Sequence, residues 1–335
     1  MSGARATLER WAAKTLYRAP FPRARVMLEG YARPGAAFPI LGYHRVNDDH
    51  DPFFPSLPSA VFESHMAYLA RSYRVLTVES LVERMQQGTV PRNAIAITFD
   101  DGYRDNLAHA APILARYGLP ATIFLTTGLI GTSVVSWFDR VAMAFKTTTA
   151  DSIQSPWGGP LPLRRTSDRL TALHAALTYF KGLAEHEFGR QLDELLDALA
   201  PSDQGRWKGL MLEWDDVHAL TGLGFSVGAH TVSHPILSRV SEERARAEIR
   251  DSRRMIESAC GFAPKAFAYP NGKAQDYSGV VQRLIGEAGF TCALTSRFGL
   301  NTRHTPVYEL RRGGPWEHDV AAFAMKLSMY RLLER

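Results

Sequence analysis

Two histidines and two aspartates in this chain have the spacing of a metal-binding site. His230 and His234 lie four residues apart in Gly228-Ala229-His230-Thr231-Val232-Ser233-His234-Pro235. Asp100 and Asp101 are adjacent in Ile97-Thr98-Phe99-Asp100-Asp101-Gly102. Two imidazoles and one carboxylate can hold a divalent cation on one side and leave the other side open for water and substrate. The second carboxylate is then free to act as a base.

We predict Asp101, His230 and His234 as the metal ligands and Asp100 as the catalytic base. Adjacent residues on a regular strand point to opposite faces, so both carboxylates can share one site only where the backbone turns at Gly102. Zn²⁺ is the default cation for two nitrogens and one oxygen, and Co, Ni, Mn or Fe fit the same atoms. A bound cation activates water and polarises a carbonyl, which makes amide hydrolysis accessible.

The elements that position these residues are predicted from alternating strand and helix patterns. Seven short apolar runs alternate with helical patterns, which indicates a parallel sheet with crossover helices. His44, Asp100, Asp101, His230 and the turn Tyr269-Pro270-Asn271 lie at the carboxyl ends of different strands, where catalytic groups gather in βα barrels. We therefore predict an α/β fold, a distorted (β/α) barrel of about seven parallel strands with a helical insertion. The predicted strands are 38–46, 73–78, 94–101, 121–127, 225–231, 266–270 and 291–296.

Capping residues predict where several helices begin and end. Ser59 and Ser241 are the predicted N-caps of two helices, and Gly261 is the predicted end of the second one. Two further helices are predicted over 106–117 and 280–288 because each is followed by a glycine.

The length of 335 residues suits one large barrel domain or two smaller ones. We predict a basic helical extension at 1–33 and a barrel at 34–335, with an insertion at about 129–214. The insertion is longer than one crossover requires, and we interpret it as a helical wall beside the barrel mouth. Trp137 is its candidate aromatic contact for a sugar ring.

Composition excludes some partners and leaves others open. The net charge of +5 is compatible with an acidic polysaccharide or phospholipid partner, but it is spread along the chain, which argues against a nucleic-acid partner. Charged residues interrupt the apolar positions of 1–33, and no later run reaches membrane-spanning length, so neither a signal peptide nor a transmembrane helix is predicted. We expect a cytoplasmic protein, and the basic amphipathic pattern of 1–33 suits either a helical cap on the barrel, which we favour, or contact with the inner membrane surface.

The two motifs together resemble the NodB-homology polysaccharide deacetylases, the fourth carbohydrate esterase family. Residues 98–102 match the first family motif, and residues 230–235 match the second, H-[ST]-x-x-H-P. The resemblance extends from about 38 to 314 and implies a distorted βα barrel. It also implies a base at Asp100 and metal ligands at Asp101, His230 and His234, in an enzyme that deacetylates N-acetylated sugars.

The third family motif, R-x-P-Y-G, is only partly present, because this chain reads Ala268-Tyr269-Pro270-Asn271-Gly272. This variant resembles the exopolysaccharide and poly-N-acetylglucosamine deacetylase subgroup. The resemblance implies that the N–H of Asn271 binds the oxyanion beside Tyr269, whereas Ala268 cannot supply the arginine. Arg311 and Arg312 are the candidates for the missing charge, and we favour Arg312. We count Tyr269, Asn271, Arg312 and Trp137 as the substrate-binding set.

The family's late histidine motif has no match here, so the proton donor must come from elsewhere. His44 ends the first predicted strand in a Tyr-His pair that resembles the same subgroup, and histidine commonly protonates a leaving amine near neutral pH. A buried histidine bonded to a carbonyl is the alternative for this residue.

The sequence therefore predicts a metal-dependent deacetylase that acts on an acetylated oligosaccharide or polysaccharide. The incomplete third motif leaves a second hypothesis, a catalytically weak carbohydrate-binding or scaffold protein of a polysaccharide-synthesis pathway. A non-haem iron oxygenase would use the same ligand types. That hypothesis is disfavoured because those sites lie on β-sandwich barrels, whose strand pattern is missing from this sequence.

Overall fold

The computed structural model describes residues 37–201 and 209–330. The predicted basic extension at 1–33 lies outside the described residues, and the membrane contact proposed for it stays a prediction. Within the described ranges, none of the helices combines the length and apolar character that crossing a membrane requires.

The central feature is one parallel sheet of seven strands, in the order β1-β3-β4-β7-β8-β9, with β2 paired to the start of β3. Each of the seven lies inside a predicted strand, so the distorted (β/α) barrel is confirmed. A separate antiparallel hairpin in the insertion, β5 with β6, was not predicted. The strands are β1 (Ile40–Tyr43), β2 (Arg74–Val75), β3 (Ala94–Phe99), β4 (Thr122–Leu125), β5 (Ser152–Gln154), β6 (Pro160–Pro162), β7 (Ser226–Ala229), β8 (Ala266–Ala268) and β9 (Cys292–Leu294).

The two edge strands are joined by a short segment at 310–313, which we call the closing segment. Leu310 forms a parallel bridge with Leu294 of β9, and Gly313 forms one with Leu41 of β1. The N–H of Gly42 donates to the carbonyl of Gly313 at 3.0 Å. The closing segment therefore occupies the position of an eighth strand and completes the curved sheet.

Helices cover the outer face of the sheet and build the insertion. The apolar faces of these helices pack against the strands, as is typical of amphipathic helices. They are α1 (Ser59–Ser72), α2 (Val78–Gln87), α3 (Ala111–Arg116), α4 (Trp137–Thr147), α5 (Thr166–Gly182), α6 (Glu185–Leu199), α7 (Trp214–Gly222), α8 (Glu242–Cys260), α9 (Gly279–Glu287) and α10 (Val320–Tyr330).

The predicted helix ends are confirmed in most places. The Ser241 hydroxyl accepts from the N–H of Arg244 at the start of α8, and Gly261 ends it in the left-handed conformation. Ser59 is a correction, since Pro58 is the N-cap of α1 and the N–H of Ser59 donates to Asp48 instead. The predicted helix at 106–117 begins with a wider π-helical turn, Asn106–Ala110, before α3.

Side-chain alternation along β3 separates the two faces of the sheet. Ile95, Ile97 and Phe99 pack into the core cluster under the outer helices, whereas Ala94 and Ala96 face the other cluster. Thr98 shares the inner face with the alanines, and the strand delivers Asp100 at its end. The insertion has a cluster of its own, which includes Phe145, Phe180 and Leu195.

Candidate active site

The structure brings the three predicted metal ligands together at the carboxyl ends of β3 and β7. Asp101 Oδ1 lies 3.6 Å from Nε2 of His230 and 3.4 Å from Nε2 of His234. One ligand atom from each residue lies within 4.8 Å of the other two. Residues 129 positions apart in the chain therefore form one compact donor set of two nitrogens and one oxygen.

Left-handed backbone conformations orient these side chains toward one cavity. Asp101 has φ of 73° and Gly102 has φ of 89°, so the chain reverses where β3 ends and both carboxylates reach the same cavity. In the second motif, Thr231 and His234 have φ of 67° and 61°. Non-glycine residues at positive φ cost free energy and concentrate at functional sites.

Hydrogen bonds fix the orientation of the histidine motif. Nδ1 of His230 donates to the carbonyl of Ala268 at 2.7 Å, which leaves the Nε2 lone pair facing Asp101. The buried carboxylate of Glu248 accepts from the N–H groups of Val232 and Ser233 at 2.8 and 2.9 Å, and also from the Ser233 hydroxyl. Outer contacts of this kind orient metal ligands in known sites.

The donor set lacks a partner that a cation would supply. Asp101 Oδ1 is buried and makes no hydrogen bond within the described chain. Burial raises the pKa of Asp101 well above its usual range, and the charge of Asp100 adds to the effect. Burial also lowers the pKa of His230 to about 4, so its imidazole is neutral and can act as a ligand. The three residues therefore fit a divalent metal ion.

Asp100 is held by the guanidinium of Arg312 from the closing segment. Nη1 and Nη2 of Arg312 donate to the two carboxylate oxygens at 2.6 Å each, and Nη1 also contacts Thr98 Oγ1. Gly42 leaves room for the arginine stem, because a Cβ there would lie 3.3 Å from its Cδ. Burial alone would raise the pKa of Asp100, but the charges of Arg312, His230 and His44 outweigh burial and hold the pKa below its usual range.

The position of Arg312 answers the question left by the third motif. Ala268 supplies no charge, and the guanidinium reaches Asp100 from a different segment. Both of its terminal nitrogens donate to protein groups, and Arg312 also lines the cavity, so its predicted contact with substrate stays a prediction.

His44 lies across the cavity from the metal ligands. Its Nε2 is 3.9 Å from Asp100 Oδ2, and its side chain is 45% exposed. The inner nitrogen, Nδ1, is buried without a hydrogen-bond partner in the described chain. Loss of hydration lowers the pKa of His44 more than the charge of Asp100 raises it. The ring is stacked beside Trp316 at a centroid distance of 6.4 Å.

In the turn after β8, the side chain of Tyr269 packs in the core, whereas Asn271 lies at the cavity. Tyr269 borders the cavity, but its hydroxyl donates to the carbonyl of Tyr308 and its ring stacks on Tyr277, so its side chain belongs to the core. Asn271 lies at the cavity with φ of 61°, and its side chain donates to Asp276. Its backbone N–H has no hydrogen-bond acceptor among the described residues.

These groups line a cavity of about 260 Å³. Trp137 from the start of α4 lines it, as predicted, and Ser296 lies near the Asn271 turn. Four further wall residues, Phe138, Leu177, Lys181 and Ile236, are absent from the predicted site set. Only Phe138 had a signal, because it is adjacent to Trp137, and its ring meets that of His234 at 5.1 Å. Trp316, also missed, is 54% exposed beside an adjoining cavity.

Comparisons with known proteins agree with this geometry. A family model described as polysaccharide deacetylase matches residues 87–293, which is more than half of the chain. That span includes Asp100, Asp101, His230 and His234, and it leaves out His44 and Arg312.

Individual relatives are more distant. YxkH of Bacillus subtilis (strain 168), named as a putative polysaccharide deacetylase, is 22% identical over 83% of this chain and 71% of its own length. A poly-β-1,6-N-acetyl-D-glucosamine N-deacetylase of Staphylococcus epidermidis is 32% identical over 23% of this chain and 27% of its own length. The solved structure of the Streptococcus pyogenes deacetylase PplD in complex with acetate has a TM-score of 0.57 at 18% identity. It covers 84% of this chain and 92% of that one, and it supports the fold.

Proposed function

The chain belongs to the polysaccharide deacetylase family, and from that premise we propose that it hydrolyses the acetamide of an N-acetylhexosamine unit in an oligosaccharide or polysaccharide. Water is consumed, and acetate and a free amine leave. The proposed activity depends on a divalent metal held by Asp101, His230 and His234, with Zn²⁺ as the default ion. An O-acetyl ester could react through the same residues.

One observation carries the proposal. The donor set of Asp101, His230 and His234 lies beside a second carboxylate, Asp100, which is itself held by an arginine. A structural metal site has no need of a buried, ionised carboxylate next to an open cavity. A hydrolytic site needs one, because water must lose a proton as it attacks.

In the proposed mechanism, Asp101, His230 and His234 would hold a divalent cation, which would supply polarisation of the acetyl carbonyl and a lowered pKa for the attacking water. Asp100 accepts the proton of the attacking water, and the bidentate contact with Arg312 keeps it ionised and oriented. The new C–O bond places negative charge on the former carbonyl oxygen. The N–H of Asn271 is positioned to donate to that oxygen, in the role of an oxyanion hole.

His44 is the proposed proton donor to the leaving nitrogen. As the C–N bond breaks, the nitrogen must gain a proton, since an amide anion is a very poor leaving group. Because the pKa of His44 is lowered, its imidazole must first gain a proton, from Asp100 at 3.9 Å or from solvent, and it then passes that proton to the nitrogen. The exposed edge of the His44 ring gives access for this exchange.

The cavity walls support a carbohydrate substrate. Trp137 and Phe138 face one side, and Trp316 lies beyond His44 on another. Flat aromatic faces suit the apolar faces of sugar rings. The cytoplasmic location predicted from the sequence stays a prediction.

Acetate release tests this proposal. Metal-loaded wild type should release acetate from acetylated chito-oligosaccharides with Zn²⁺ or Co²⁺, and Asp101→Ala or His230→Ala should lose metal and activity together. Asp100→Asn should retain metal and lose turnover, whereas His44→Ala should lose activity by about 10²-fold.

Asp251→Asn is a matched control, because this carboxylate is exposed on α8 and pairs only locally with Arg250. Full activity in Asp100→Asn would refute its role as the base. A metal-loaded wild type that releases no acetate from any acetylated glycan would favour the carbohydrate-binding hypothesis instead.

A further inference from the structure

A second cavity of about 360 Å³ adjoins the active-site cavity on the His234 side. We call it the cationic groove, defined by the side chains of Arg140, Lys181, Arg239 and Arg244. It lies between helices α4, α5 and α6 of the insertion and the loop after the histidine motif. Trp137, Lys181, His234 and Ile236 border both cavities, so the two are neighbours.

The charges of the groove are unbalanced. Four cationic side chains line it against one carboxylate, Glu185. Arg244 pairs with that carboxylate at 2.6 Å. Arg140, Lys181 and Arg239 form no ion pair with any residue that the structure describes. The groove therefore has a surplus of positive charge, which is reduced at Lys181 by Asp101 and Asp276 and near Arg140 by Asp193 and Asp197, which line another cavity with it.

Lys181 connects the positive charge of the groove with the reaction centre. Loss of hydration lowers the pKa of Lys181, and the nearby charge of Lys273 lowers it further, while Asp276 and Asp101 oppose the shift. Lys181 lines both cavities, so its charge acts on the groove and on the reaction centre.

The cavity on the opposite side of the active site differs from the groove in its charge. A cavity of about 230 Å³ there is bordered by Phe53, Phe54 and Trp316. Its cation, Arg45, is neutralised by Asp105 at 3.1 Å. A chain bound across the site would therefore meet an apolar surface on one side and a surplus of positive charge on the other.

We propose that the cationic groove binds acidic sugars next to the acetylated unit, so that the substrate is an anionic glycan carrying carboxylate or phosphate groups. The proposal rests on the proposed deacetylase function and specifies its substrate class. Arginine and lysine form charge-assisted hydrogen bonds with both anions. A membrane surface fits less well, because the charges lie in a concavity that is lined by Trp137 and Phe188 and neighbours the reaction centre.

The test compares substrates that differ only in charge. The first pair is a hexasaccharide of alternating N-acetylglucosamine and glucuronate and its carboxyl methyl ester. The second pair is hexa-N-acetylchitohexaose and its 6-O-phosphorylated form. Binding is measured by calorimetry at low salt on metal-loaded, full-length Asp100→Asn, so that substrate is not consumed, and acetate release is measured on wild type.

We expect each acidic member to bind about tenfold more tightly than its neutral partner if both anions are accepted, and the preference to shrink at high salt. Arg140→Gln/Arg239→Gln should reduce the preference to about twofold or less. Arg71→Gln/Arg254→Gln should keep it, since both control arginines are exposed and outside the groove. A preference for only one acid would identify that anion as the ligand.

Equal binding of acidic and neutral partners in both pairs would overturn the proposal, as would a preference unchanged by Arg140→Gln/Arg239→Gln. Binding to phosphatidylglycerol vesicles that this variant weakens, without any glycan preference, would assign the charges to a membrane surface and also overturn it. Acetate release without a charge preference would refute the groove and retain the deacetylase. A charge preference without acetate release would support anion binding in the groove and refute the deacetylase activity.

Discussion

Asp100 and Arg312 show how one residue contact can replace a missing motif position. The third motif lacks its arginine at Ala268, yet a guanidinium reaches both oxygens of Asp100 from 212 residues away in the chain. What the carboxylate requires is a planar donor pair at the right place, irrespective of which segment supplies it. Sequence could nominate Arg312 by charge and approximate position, but the two parallel bonds depend on how the barrel closes.

Arg312→Lys should separate the effect of the positive charge on Asp100 from the effect of the two parallel hydrogen bonds. A lysine keeps the positive charge but cannot form two parallel bonds with Asp100, so turnover should fall by about tenfold or more while metal content is unchanged. Weaker stabilisation lets burial raise the pKa of Asp100, and the base is then protonated at higher pH. The acid limb of the kcat/KM profile should therefore move to higher pH.

The control for this variant is Arg311→Lys at the neighbouring position, which lies outside the cavity. A pH profile for Arg312→Lys that coincides with that of the control would show that the arginine serves packing alone.

At the scale of elements, the parallel sheet was the most predictable feature. The strand runs were recognised because buried parallel strands are continuously apolar and each ends near a glycine or polar residue. Ile95-Ala96-Ile97-Thr98-Phe99 is an example, with every side chain buried. The positions of Asp101 and His230 followed, since parallel strands share one catalytic rim.

The insertion was predictable in extent but less so in detail. Helices α5 and α6 agree with the predicted helical character of the insertion, whereas the β5–β6 hairpin was not predicted. The hairpin strands have three residues each, too few to show a period. Trp316 and Lys181 carried no local signal, because their place in the site is set by packing between distant segments.

Glu248 on α8 positions the histidine motif, and its removal should weaken metal binding. Glu248→Gln keeps the size but loses the charge and one acceptor, so the bonds from Val232, Ser233 N–H and Ser233 Oγ weaken together. Loss of such an outer contact typically lowers metal affinity by about 10- to 100-fold. Chelator competition with Zn²⁺ measures the change.

Glu257→Gln is the matched control on the same helix, because Glu257 is exposed and lies 3.7 Å from Arg253. If both variants bind Zn²⁺ with wild-type affinity and remain folded, the motif holds its conformation without Glu248.

For the whole molecule, His65 connects the first helix to the last. Its ring stacks on Phe323 of α10 at 3.9 Å, and its Nε2–H donates to the carbonyl of Glu317 at 2.8 Å. The hydroxyl of Tyr43 on β1 donates to Nδ1. His65 is completely buried, and burial lowers its pKa to about 4.

This burial predicts a loss of stability in mild acid. The unfolded chain protonates His65 near pH 6.5, whereas the folded chain resists protonation until about pH 4. Stability from neutral His65 is therefore complete above about pH 6.5 and declines as the pH falls toward 4. Between pH 7 and 5, wild type should lose about 2 kcal/mol more unfolding free energy than His65→Phe.

Urea unfolding at the two pH values measures this difference, and the other histidines titrate equally in both proteins. His65→Phe retains an aromatic ring against Phe323, so it removes the titration with little change in packing. Equal acid sensitivity of the two proteins would show that His65 is not the source.

The closing segment has a consequence for the order in which the protein matures during synthesis. A ribosome releases Asp101, His230 and His234 before residue 312, so the metal ligands are available while the partner of Asp100 is still missing. Until residues 310–313 dock between β9 and β1, the carboxylate would be a buried charge without its guanidinium. Docking of residues 310–313 therefore both completes the sheet and supplies the guanidinium that holds Asp100, and we expect a nascent chain to complete the proposed ligand set before Asp100 can act as a base.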